Sequence, residues 1–90
     1  MGFDATIRYL DKYNSEQEIY YGRVRTPIKE YLARNFNNDG EYKRISRDTA
    51  KELQDLFIEE IDILHNENYL VLAMTTLIDH GYRIEVNISY

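Results

Sequence analysis

Ninety residues with no cysteine, nine tyrosines and a formal charge of −5 exclude a good deal before any motif is sought. A chain this short has room for one core and buries about 60–65% of its unfolded surface; a single domain over 1–90 is expected, without disulfide or zinc support. No apolar run approaches about 18 residues and no basic stretch leads into an apolar one, so neither a membrane-spanning helix nor a signal peptide is predicted; with cysteine absent, a cytoplasmic location is expected.

Residues Phe3 to Leu10 alternate, with Phe3, Ala5, Ile7 and Tyr9 on one face and Asp4, Thr6, Arg8 and Leu10 on the other, which predicts a half-buried strand. A polar loop from Asp11 to Gln17 follows. Glu18 to Arg25 admits two readings: Ser15 and Glu18 have the spacing of a capping box that would open a helix, whereas Tyr20, Gly22 and Val24 alternate with Tyr21, Arg23 and Arg25 as in a strand. Thr26 as N-cap and Pro27 at the first helical position then predict a helix with Ile28, Tyr31, Leu32 and Phe36 on one stripe. Asn35 to Gly40 reads as a turn, followed by a short extended piece.

Ser46 predicts the cap of a long helix reaching about Leu64, with Ala50, Leu53, Leu56, Phe57, Ile61 and Leu64 inward and Asn66 as its break. A further helix is expected over Tyr69 to His80, burying Leu70, Ala73, Met74, Leu77 and Ile78, with Gly81 as its C-cap. The last nine residues, Tyr82 to Tyr90, alternate cleanly and form a strand. A two-stranded ribbon is marginal alone. The fold class is therefore α+β, a small two-layer domain in which N- and C-terminal strands share one antiparallel sheet packed by about three helices.

Chemistry is sparse. His65 and His80 each fall near a helix end, Asp79 and His80 are adjacent and point apart on a helix, and no nucleophile is placed beside a base. The four glycines are isolated, so no phosphate loop is present. Asn35, Asn37, Asp39 and Gly40 imitate the start of a calcium loop, but Ser46 stands where the bidentate glutamate belongs and Lys43 and Arg44 bring positive charge. No enzyme activity, cofactor or metal is expected.

Charge is segregated instead. Between Asp48 and Glu67 lie seven acidic residues and one base, Lys51, a net −6 in a chain of −5. Glu52, Asp55, Glu59 and Asp62 follow i, i+3, i+7, i+10 and line one side of the helix, about 4.5–6 Å apart in rise, close to phosphate spacing along a nucleic-acid strand. The row reads either as a protein-binding surface that imitates a phosphate backbone or as the solvated face of an amphipathic helix. The chain's acidity disfavours direct nucleic-acid binding. Against that, Arg23, Arg25, Lys29 and Arg34 can touch phosphates while Tyr21 and its neighbours Tyr20 and Tyr31 stack on bases; the same cluster also reads as a solvated face, with Glu30 and Arg34 a helix pair.

Tyr21, Gly22 and Arg23 with Ile28, Tyr31 and Leu32 downstream, then Gly40, Glu41 and Tyr42 followed by Ile45, Ser46 and a leucine-rich acidic helix, resemble a group of small proteins encoded by phages and prophages. In that group a Y-W-R-K segment opens one helix and a G-E-Y-x-V-S segment opens another. The resemblance covers residues 18 to 64, with Gly22 where the group has tryptophan, and implies a phage accessory gene acting in the host cytoplasm. The expected role is a non-enzymatic inhibitor of a basic, nucleic-acid-acting host protein, such as an anti-CRISPR or other anti-defence protein. The alternatives are an immunity protein or antitoxin against a basic nuclease, and a nucleic-acid-binding accessory protein. A homodimer through the tyrosines is compatible with each.

Overall fold

The computed structural model describes residues 3–36, 40–59 and 69–89. Their strands are β1 (Asp4–Leu10), β2 (Glu16–Arg23), β3 (Lys43–Arg44) and β4 (Arg83–Ser89). They form one antiparallel sheet in the order β2-β1-β4-β3. The helices are α1 (Ile28–Asn35), α2 (Arg47–Glu59) and α3 (Met74–Asp79), with a 3-10 segment over Tyr69–Ala73 leading into α3. The result is the expected α+β layering, with the first and last strands side by side: Asp4 faces Ser89 and Leu10 faces Arg83.

Alternation in β1 and β4 sends Ala5, Ile7, Ile84, Val86 and Ile88 into a core shared with Leu32, Ala50, Leu53, Phe57, Val71 and Met74 of the helical layer. Of Glu18 to Arg25, the residues through Arg23 are strand, and Val24 and Arg25 belong to the connection that leads to α1. Ser15 opens no helix, because its amide donates to Asp11 Oδ1 at 3.0 Å inside the turn. A bulge precedes the alternating residues: Ile7 faces Tyr20 while Arg8 faces Glu18, so Ile19 is the extra residue and both Ile19 and Tyr20 are buried. Tyr20 then stacks at a tilt on Phe57, ring centres 5.1 Å apart, and donates its hydroxyl to the Arg23 carbonyl at 2.8 Å.

Three helix boundaries differ from or refine the expectation. Thr26 is not the N-cap: α1 begins at Ile28, Pro27 takes the cap position with no side-chain capping bond, and the Thr26-Pro27 peptide is cis. Ser46 does cap α2, its Oγ accepting from the Thr49 amide at 3.2 Å. Of the inward residues expected there, Ala50, Leu53 and Phe57 are buried and Leu56 is half-buried; Ile61, Leu64 and the Asn66 break lie outside the described residues. The helix expected over Tyr69 to His80 is broken at Ala73, whose φ of −124° and ψ of 22° are not helical. The Thr75 amide bonds instead to Gln54 Oε1 of α2 at 3.0 Å, so a side chain from the neighbouring helix satisfies a donor left free at the start of α3.

Gly81 ends α3 as expected. Its φ is +94°, the Tyr82 amide reaches back to the Leu77 carbonyl and the Gly81 amide to that of Ile78, both at 3.0 Å, the paired bonds of a Schellman motif.

The sheet's other face is polar. Arg8 donates from Nε and Nη2 to Glu85 Oε1, at 2.9 and 2.8 Å, and from Nη1 to Glu16 Oε2 at 2.6 Å. Its guanidinium lies under the Tyr42 ring, 3.6 Å from the centroid. Asn87 donates to the Gly40 carbonyl at 3.4 Å, so the segment Gly40 to Tyr42 crosses this face before β3 begins.

Candidate functional site

The acidic row on α2 is positioned by what the opposite side of the helix buries. At about 100° per residue, Leu53, Phe57 and Ala50 define the buried stripe, and Glu52, Asp55 and Glu59 fall within an arc of about 60° diametrically across from it. Those three and Asp48 in the first turn are all exposed. Asp62, the fourth member of the expected row, lies outside the described residues.

Two of the carboxylates already have intramolecular partners. Glu52 Oε2 accepts from the Tyr31 hydroxyl of α1 at 2.7 Å. Partial burial and that bond to a carboxylate push the phenol up to about 12, so it stays protonated and donating. Asp55 is paired with Lys51 one turn earlier, at 2.8 and 2.9 Å, an exposed i, i+4 pair of small energy. Lys51 thus bounds the acidic arc on one flank and Tyr31 holds Glu52 in place. The surface that results is negative, convex and carried on a helix whose orientation its core contacts set.

The basic alternative is distributed differently. Tyr21 and Arg23 sit on β2 opposite Thr6 and Asp4, on the sheet face away from the helices; Tyr21 is 67% exposed. Arg25 lies in the connection to α1, where its carbonyl accepts from the Lys29 amide at 2.8 Å. Lys29 and Arg34 are both exposed on α1 but, five residues apart, point about 140° from one another. The structure therefore brings Tyr21 and Arg23 together and sets Lys29 and Arg34 on separate flanks of a different layer.

Sequence reading missed the two strongest side-chain arrangements. The Arg8, Glu85, Glu16 and Tyr42 group joins residues up to 77 positions apart, and Arg47 forks onto Asp79 at 2.8 and 3.1 Å, tying the start of α2 to the end of α3. That hydrogen bond is the main cause holding the Asp79 carboxyl below its ordinary range and the Arg47 guanidinium above its own. Pairing β1 with β4 in register would have placed Arg8 opposite Glu85; no local pattern indicates Arg47 with Asp79.

Among the described residues no group of three or more histidine, aspartate or glutamate side chains is arranged to hold a metal ion, and no helix is long and apolar enough to cross a membrane. No family model matches the chain, and no curated protein or solved structure is similar enough to count as a match.

Proposed function

We propose that this chain is a non-enzymatic accessory protein of a phage or mobile element that binds a basic, nucleic-acid-acting host protein and inhibits it. The acidic face of α2 takes the place of a phosphate backbone. The observation that carries this reading is the exposure of Asp48, Glu52, Asp55 and Glu59 on the side of α2 opposite its buried stripe. Charges on such a surface steer a basic partner into contact and set its orientation. Because burial of Leu53 and Phe57 fixes the helix, the backbone that carries the carboxylates is already ordered before binding, which lowers the entropic cost of association.

A tagged pull-down from bacterial lysate, with nuclease treatment, followed by affinity measurement on the captured protein tests the reading. Reversing Glu52, Asp55 and Glu59 to lysine is expected to weaken binding by about tenfold or more and to flatten its salt dependence. Unchanged affinity would sink the acidic-face mechanism. Capture of a basic nuclease whose gene lies beside this one would reassign the same surface to an immunity protein or antitoxin.

A further inference from the structure

A cleft of about 330 Å³ lies at the end of the sheet remote from Asp4, lined by Asp11, Lys12, Tyr13, His80, Gly81 and Tyr82. Its size is at the low end of small-molecule sites. The walls are two turns, one between β1 and β2 and the other between α3 and β4, and both are held by their own hydrogen bonds. In the first, Asp11 Oδ1 accepts from the amides of Tyr13 and Ser15 at 2.8 and 3.0 Å. In the second, the Schellman bonds around Gly81 fix the backbone. Arg83, the first residue of β4, donates to Asn14 Oδ1 of the first turn, which links the two walls.

The side chains they present have a specific chemistry. Tyr13 is 76% exposed at the tip of its turn, with the Lys12 ammonium 5.1 Å from its ring centre. Tyr82 gives a second aromatic wall, held edge-on by Tyr9 at 5.2 Å and 89°. The exposed His80 imidazole lines the same cleft as Lys12 and adds a donor. A flat ring with an anionic group attached satisfies both features at once, the ring on the aromatic faces and the anion on the ammonium and imidazole.

We propose that this cleft binds a nucleoside monophosphate, its base stacked on Tyr13 and its phosphate held by Lys12 and His80. Asp11 on the same lining limits how much negative charge the site accepts, and a volume of about 330 Å³ suits one nucleotide rather than a run of them in a strand. The acidic face of α2 plays no part, and the two proposals stand or fall separately.

Amide chemical shifts of the full-length chain, recorded while titrating AMP, adenosine, inorganic phosphate and oligothymidylate in turn, test it. AMP is expected to move the amides of Lys12, Tyr13, His80, Gly81 and Tyr82, with adenosine and phosphate each binding roughly tenfold or more weakly. Tyr13→Ala, at an exposed position that leaves the fold intact, is expected to weaken AMP about tenfold, and His80→Gln to weaken AMP and phosphate but not adenosine. No shift at millimolar AMP, shifts confined to other surfaces, or unchanged affinity in Tyr13→Ala would overturn the proposal. Tighter binding of oligothymidylate than of AMP on the same amides would overturn the choice of a free monophosphate.

Discussion

The two faces of the sheet are built from the same strands yet held by opposite chemistry. On the helical side Ile7, Ile84, Val86 and Phe57 are fully buried with no polar group among them, and what holds them is removal of apolar surface from water, about 1.5–3 kcal/mol for each large side chain. On the other side Arg8, Glu85 and Glu16 are joined by directed hydrogen bonds under the Tyr42 ring. There the gain is partly offset by desolvation of the charges. The first face decides whether the chain folds. The second decides where the segment leading to β3 lies, because Tyr42 and Gly40 are both anchored on it.

That contrast predicts unequal mutational costs. Phe57→Ala removes the ring that Tyr20 and the helical layer pack on and is expected to cost about 3–5 kcal/mol, measured by denaturant unfolding. A loss near that of a surface substitution would mean that the core repacks around the gap. Arg8→Ala is expected to cost less, about 1–3 kcal/mol, because it strands the half-buried Glu85 carboxylate. A double-mutant cycle sharpens this: Glu85→Ala made in the Arg8→Ala background should cost less than Glu85→Ala alone. Additive costs would show that the two side chains act independently.

The smallest effect is expected from acid. Arg47 holds the Asp79 carboxyl below its ordinary value, so the stability this pair supplies is present above the unfolded-state value of about 4 and is lost as pH falls through the lower folded value. Thermal unfolding from neutral pH downward should show a small decline in this window that Arg47→Gln removes. An identical acid profile in Arg47→Gln would discount the pair, which lies at the surface and is screened by solvent.

How much of this was legible in the sequence follows from how local each signal is. Strict alternation gave β1 and β4, and the spacing from Ser46 and the position of Gly81 gave the start of α2 and the end of α3, because caps and pleats act within a few residues. The bulge at Ile19 places two successive side chains inward, which no period describes, and the capping-box spacing of Ser15 and Glu18 competes with the alternation beyond it, so Glu18 to Arg25 reads as either helix or strand. Gln54 meeting the Thr75 amide is a tertiary contact that overrides helical periodicity at Ala73. The exposed side of α2 carrying Glu52, Asp55 and Glu59 was readable from spacing alone. The cleft at Tyr13 and Tyr82 was not, since two turns 69 residues apart in the chain form it.

The same bulge has a consequence for the open edge of the sheet. β2 is one of the two edge strands, and a long flat strand in that position would offer a ladder of free backbone donors and acceptors to any passing extended chain. Ile19 breaks the ladder midway, Glu16 and Glu18 charge the half before it and Arg23 the end after it. Adding another strand beside β2 would have to bridge a kink and confront charge on both sides of it, which guards that edge against strand addition.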